Sequence, residues 1–410
     1  MKKRHRRTGD STVRYVYLAR ALRDFGDGFV AVLLPAYLIA LGFSPLQVGV
    51  IATTALLGSA LLTLAVGFFA RHYDHRRLLL AAANLMIATG IAFAVVHDFA
   101  LLAVVAFAGT VNPSAGSVSL FVPLEHAVLS REVDDHERTK MFARYSFIGA
   151  MAGACGALAA AAPDLLSLSG LSQLEAIRVM FVLYALLGVV GSLTYARIPA
   201  RPDPVDGQAP LALGPSRYIV YKLAILFSLD AFAGGFLVQS LLALWLFERF
   251  ELSLSAAALF FFWSGVFAAF SFPVAAWLSR RIGLVKTMVF THIPSNLCLI
   301  FAALAPNLMT ALCLLLLRAA LSQMDVPTRS SYVMAVVTVA ERVAAASFTS
   351  VPRSLAAAAS PVLAGALFAS FPALPMIICG GLKIVYDLLL LMQFRHLKPP
   401  EERHDHQRTQ

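Results

Sequence analysis

Charge is what this sequence has least of. Of its 410 residues only 14% are Asp, Glu, Lys or Arg, while 59% are hydrophobic. A soluble domain carries roughly a quarter charged residues, so this composition excludes a water-soluble globular fold. Cysteine is almost as scarce. Cys155, Cys298, Cys313 and Cys379 lie in apolar runs, at spacings that suit neither a metal site nor a disulfide framework, and are expected to fill buried space. The signatures of several chemistries are missing too. No G-x-x-x-x-G-K-S/T run is present, which argues against ATP-driven pumping, and neither G-x-S-x-G nor H-E-x-x-H occurs. The compact His/Asp cluster HYDH (His72–His75) leaves a membrane-embedded enzyme or sensor as the lesser, different-class reading. No enzymatic activity, cofactor or metal is expected. No small-residue cleavage site follows the first apolar run, so that run is expected to be retained.

Long apolar segments are what the chain does have. They run over residues 15–41, 46–70, 78–97, 99–129, 140–162 and 176–197, then 218–247, 255–279, 285–304, 308–338, 342–369 and 373–394. Each reaches the roughly 20 residues that a helix needs to cross a bilayer, which predicts an all-α membrane protein of about twelve transmembrane helices. The fourth and tenth are overlong, and Pro113, Pro123 and Pro327 are expected to kink or end them. The formal net charge of +10 sits at the ends of spans and calls for no nucleic acid. One side receives the basic N-tail, Arg71, Arg76, Arg77, Arg131, Arg138, Lys140, Arg197, Arg201, Arg217, Arg280, Arg281, Lys286, Arg342, Arg395 and Lys398. The other has only Arg178 and Arg249 near its loops. That asymmetry places both termini in the cytoplasm.

The chain also repeats itself. Glu137-Arg138 recurs as Glu341-Arg342, 204 residues on (137 to 341), and at the same separation Glu125 falls on Arg329. Arg23–Gly49 parallels Leu229–Ala257, and Gly67–Arg77 parallels Ala275–Lys286. Parallel six-span repeats are an established transporter plan. The domain order expected is a cytoplasmic basic N-tail (1–14), a six-helix bundle (15–197), a cytoplasmic Pro/Gly-rich linker (198–217), a second six-helix bundle (218–394) and a cytoplasmic C-tail (395–410).

These features resemble the major facilitator superfamily over nearly the whole chain. The family signature after the second helix, G-x-x-x-D-R/K-x-G-x-R/K-R/K, is met by Gly67, Arg76 and Arg77, with Arg71, His72 and Asp74 at its aspartate, next basic and glycine positions. The second-half copy keeps Arg281, Gly283 and Lys286, with Arg280 at the aspartate position. The latch that the aspartate supports elsewhere is therefore not carried over. The resemblance implies two pseudo-symmetric six-helix bundles, and a substrate cavity between them lined by the first, fourth, seventh and tenth helices. Gly149, Gly153 and Gly156 in the fifth span are read as a close-packing seam.

Ionisable residues inside spans are functional candidates, because each costs about 2.5–3.5 kcal/mol on insertion scales unless it faces water or a partner. Asp24 and Asp27 share a face of the first span, with Arg20 and Arg23 four residues before them. Asp27 and Asp230 are candidates for substrate or proton coupling; Asp24 is either that or a local ion pair. Arg318 needs an acidic partner or an anionic substrate, and Arg353 either pairs with Asp325 or Asp230 or serves the substrate. Glu125 and His126 are either a proton relay or, for Glu125, a salt bridge to a basic residue. Asp325, Arg329, Arg76, Arg77, Glu137, Arg138, Glu341 and Arg342 are gating candidates. Gln239, Gln323, Asn112 and Tyr145 are candidate polar lining. The function expected is secondary active transport by alternating access, coupled to protons, in the cytoplasmic (inner) membrane, by a monomer exporting a small organic or drug-like solute. Uptake or export of an anionic metabolite is the alternative.

Overall fold

The computed structural model describes residues 2–69, 73–114, 119–130, 132, 135–199, 214–338, 341–368 and 370–394, and among these the regular structure is helical throughout. The first eight helices are α1 (Lys2–Ala40), α2 (Pro45–Phe69), α3 (His75–Val95), α4 (Phe99–Ala108), α5 (Phe121–Ser130), α6 (Asp135–Ala159), α7 (Ala162–Ser167) and α8 (Gln173–Ala196). The rest are α9 (Arg217–Gly235), α10 (Gln239–Phe250), α11 (Leu254–Ile282), α12 (Leu284–Ala303), α13 (Leu308–Ser322), α14 (Asp325–Val336), α15 (Arg342–Phe368) and α16 (Leu374–Phe394).

Among the described residues nine helical segments are long and apolar enough to cross a membrane. They answer to nine of the twelve expected runs, and the other three depart for local reasons. The first run carries Arg20, Arg23, Asp24 and Asp27 in the middle of α1, which itself begins at Lys2 and not at residue 15. The fourth is broken between α4 and α5 around Pro113, and the tenth between α13 and α14 just before Pro327. Proline lacks the N–H that a helix interior needs, and disfavours helical geometry at the residue before it. A further break between α9 and α10, after Gly234-Gly235, was not anticipated. Helix starts are fixed by side chains: Asp98 caps α4, Asn307 caps α13, and Ser172 with Glu175 forms a capping box on α8.

The chain groups into two compact units. One comprises Met1–Val205 with Val238–Gly265; the other comprises Asp206–Leu237 with Val266–Gln410. The break after α9 is what lets α10 join the first unit, where it packs on α1 and α2 and Ser240 N donates to the Pro113 carbonyl at 3.0 Å. In the first unit α1 lies against α6 and α8, over a core that includes Val16, Leu79, Phe121, Leu124, Tyr145 and Tyr195. In the second, α9 packs on α15 and α16 on α12, around Leu223, Phe227, Tyr332, Tyr386 and Leu390. Cys298 and Cys379 are buried as expected, but Cys155 and Cys313 are exposed, so the space-filling role applies to only two of the four.

The α1–α6 approach depends on missing side chains. A Cβ on Gly28 would strike the carbonyl of Gly153, one on Gly156 would strike the backbone of Phe25, and one on Gly149 would enter the Arg20–Asp24 pair. The two helices are therefore at backbone contact, the use to which small residues are put in membranes. Gly28→Val is expected to lower stability by roughly 1–3 kcal/mol, measured by thermal denaturation in detergent. Unchanged melting would show that the helices do not meet there.

Candidate functional site

Each unit holds a buried polar cluster at the level of its broken helix. In the first unit the cluster hangs from α1. Arg20 Nε lies 2.7 Å from Asp24 Oδ2, and Arg23 Nη2 lies 3.4 Å from Asp24 Oδ1. Arg23 Nη1 donates to Glu125 Oε2 of α5 at 3.0 Å, while its guanidinium stands over the Phe121 ring. Glu125 is fully buried and accepts further bonds from the Tyr195 hydroxyl at 2.6 Å and from the Tyr145 hydroxyl. Its lone pairs are thus met by one cation and two phenols, the condition under which a carboxylate tolerates burial. The residue beside it is placed differently: His126 packs its ring against Phe142 and Tyr145 and makes no direct hydrogen bond to Glu125 among the described residues.

Asp27 is the odd member. It is 2% exposed, and among the described residues no cation comes within ion-pairing distance. Its bond is from the Tyr184 hydroxyl of α8, 3.2 Å from Oδ1. That same hydroxyl lies 3.2 Å from the Thr110 carbonyl and 3.1 Å from Thr110 Oγ1, in the break between α4 and α5. One phenolic proton cannot serve both Asp27 and the carbonyl. With Asp27 ionised, Tyr184 donates to it. With Asp27 protonated, Asp27 donates to Tyr184, and Tyr184 is released to donate to Thr110.

The second unit repeats the scheme with the charges exchanged. The acid, Asp230, is now on α9 and the cation, Arg329, on α14, joined at 3.0 Å by Nη1 to Oδ2. Arg329 also pairs with Asp325 at 3.2 Å and stands over the Phe227 ring. Asp230 receives a second cation, Lys383 of α16, at 2.6 Å. Beyond it His292 of α12 places Nδ1 2.9 and 3.0 Å from the two oxygens of Asp387, with Asn296 Nδ2 3.4 Å from one of them. Lys383, His292, Asn296 and Asp387 were not among the sequence candidates. The signal was there, since all four interrupt apolar runs.

The remaining candidates scatter. Arg318 and Arg353 make no ion pair among the described residues, and the Nε of each is buried without a hydrogen-bond partner. Arg76 donates from Nη2 to the Ala196 carbonyl at the end of α8 at 2.7 Å, a cation on a helix C-terminus. Asp74 caps α3 by accepting from Arg76 N at 3.1 Å, and Arg77 is exposed. His72, and the side chains of Glu137, Arg138 and Arg342, lie outside the described residues. Glu341 is bound to the entry of α9: it accepts from Thr338 Oγ1 at 2.6 Å, Ser216 Oγ at 2.7 Å and the backbone N–H of Gly214 and Ser216.

The Thr338 hydroxyl, then the Ser216 hydroxyl and these N–H groups, hold the Glu341 carboxyl down, from an ordinary 4.5 to about 2. A carboxylate lowered on folding stabilises the protein fully above its unfolded value, and that gain is lost as the pH falls toward the folded one. Glu341→Gln is therefore expected to melt earlier than the parent at neutral pH. The gap should close between pH 4.5 and about 2. A gap independent of pH would show that these bonds do not depend on the charge.

Comparison with known proteins gives a consistent result. A family model described as Major Facilitator Superfamily matches residues 16–323. An uncharacterized membrane protein of Saccharomyces cerevisiae, YJR124C, is 24% identical over 420 residues, covering 93% of this chain and 94% of that protein. The crystal structure of the nucleoside transporter NupG superposes with a TM-score of 0.71 at 14% identity, covering 93% of this chain and 99% of that one. A bacterial homolog to the human lysosomal transporter Spinster, inward-facing and occupied, gives 0.69 at 17% identity, with 93% and 94% covered.

Proposed function

The chain belongs to the Major Facilitator Superfamily, and from that premise we propose that it is a proton-coupled secondary transporter whose coupling carboxylate is Asp27. The observation that carries this reading is the bonding of Asp27: buried, without an ion pair among the described residues, and facing a hydroxyl that can switch from donor to acceptor. In both protonation states Asp27 keeps a hydrogen bond to the Tyr184 hydroxyl, so taking up a proton does not strand the carboxyl group. Asp230 differs: it is held by two cations, Arg329 and Lys383. It is assigned to organising α9, α14 and α16. Protonation of Asp27 redirects Tyr184 to the Thr110 carbonyl, in the break of the fourth span, and so biases the helix that breaks there. A ligand shifts a conformational equilibrium only through such differential contacts.

The cargo we assign is a small organic or drug-like solute, moved outward across the inner membrane by a monomer with both termini in the cytoplasm, as the Lys/Arg distribution supports. The second reading, an anionic metabolite, is favoured by Arg318 and Arg353, whose guanidinium groups make no ion pair among the described residues. Reconstitution into liposomes tests both. A panel of nucleosides, short peptides, drug-like cations and organic anions is offered under an imposed pH gradient, with a protonophore as control. Accumulation that the protonophore abolishes supports the coupling. Equal flux with and without the gradient removes it, and preference for anions selects the second reading.

A further inference from the structure

The His292–Asp387 pair is a second place where a proton is held, and it stands apart from Asp27. Asp387 is fully buried and His292 is 4% exposed, and apart from His292 the side-chain contact to the carboxylate is Asn296. With one proton shared between imidazole and carboxylate the pair is neutral. Without it the carboxylate keeps its Nδ1–H and Asn296 bonds but the pair carries a net negative charge; with two, the pair carries a net positive one. Either outcome carries the cost of an unpaired buried charge.

Charged and titratable groups are carried by every helix packed on α12 and α16. These are Asp230 from α9, Arg318 from α13, Asp325 and Arg329 from α14, Arg353 from α15, and Lys383 and Tyr386 from α16 itself. Lys383 is placed to matter most. It stands four residues before Asp387, on the same helical face, yet its ammonium is turned away to Asp230 at 2.6 Å, across the space that Gly234 leaves open.

We propose that His292–Asp387 is a proton-binding site whose occupancy is set by where Lys383 points. While Asp230 holds Lys383, the pair keeps its proton. When Asp230 is engaged otherwise, Lys383 turns to Asp387, supplies the positive charge that the proton had supplied, and the proton leaves through His292. The step balances: one ammonium contact moves from Asp230 to Asp387, and one proton departs. Its part in transport rests on the proton-coupled reading above; the holding of the proton does not.

The experiment is a pH titration of the His292 ring by nitrogen-15 NMR, on the full-length histidine-labelled protein in lipid nanodiscs, with the resonance assigned by its loss in His292→Gln. Asp230→Asn frees Lys383, and the proton is expected to leave the pair at a pH lower by about one unit or more. Asp230→Asn combined with Lys383→Gln is expected to return the transition to the parent position or above it. An unmoved transition in the single variant overturns the proposal, as does a double variant that behaves like the single one. If Asp230→Asn does not fold, Lys383→Gln alone decides: retention of the proton to higher pH supports the exchange, and no change overturns it. Asp27→Asn is expected to leave this titration in place, so failure of the Asp27 reading and failure of this one are told apart.

Discussion

Glu125→Ala is expected to cost about 3–5 kcal/mol of stability, the usual result of removing one partner from a buried ion pair. The estimate follows from what the variant leaves behind. Arg23 keeps Asp24 at 3.4 Å but loses its 3.0 Å bond, and the hydroxyls of Tyr145 and Tyr195 lose their acceptor. Four helices, α1, α5, α6 and α8, meet at this carboxylate, so the loss is expected to loosen the first unit as a whole. The control is a double change. Arg23→Met with Glu125→Gln removes the stranded cation and keeps an amide oxygen for the phenols, and should recover more than half of the loss. Denaturation in detergent, followed by helicity, reads both. If Glu125→Ala melts with the parent, the ion pair is not what joins these helices.

Asp27→Asn is expected to leave a protein that equilibrates its solute but no longer concentrates it. One pH unit is worth 1.36 kcal/mol, so a carrier moving one proton per solute sustains about a tenfold concentration ratio across a one-unit gradient. The variant should bring that ratio to about one, while exchange of labelled for unlabelled solute continues. Asparagine keeps the size and the acceptor oxygen facing Tyr184, which separates loss of coupling from loss of fold. Tyr184→Phe is expected to reduce accumulation as well, with a changed pH profile, because the phenol is the contact through which Asp27 reaches Thr110. Full accumulation by Asp27→Asn would move the coupling proton elsewhere.

The order of helices was legible because apolar length and the Lys/Arg distribution are properties of single segments. The breaks at Pro113 and before Pro327 were legible for the same reason, since proline acts on its own helix. The break after Gly235 was not, because paired glycines permit a turn without demanding it. The candidate site was readable only as a set of charges. That Arg23 faces Glu125 and not Asp27, or that Lys383 crosses to Asp230, depends on which helix faces meet, and single-segment patterns do not report it. Asp387 and His292 met the criterion that picked out Asp27, a charge within an apolar run, but α12 and α16 lie outside the four helices that the family resemblance recommends. The exchange of sign between Glu125 and Arg329 was visible at their common separation; its meaning came only with Arg23 and Asp230 in place.

The cluster on α1 has an electrical consequence. Arg20 and Arg23 pair with Asp24 and Glu125, and Asp27 stands beyond them on α1, so with all five ionised the group carries one net negative charge, and with a proton on Asp27 it carries none. On the proton-coupled reading proposed above, a transmembrane voltage therefore acts on the cluster while Asp27 is deprotonated and passes over it once Asp27 is protonated. Full passage of one charge through 100 mV is worth about 2.3 kcal/mol, so on the export reading the resting potential of a cell falls mainly on the outward step, the one made with Asp27 deprotonated.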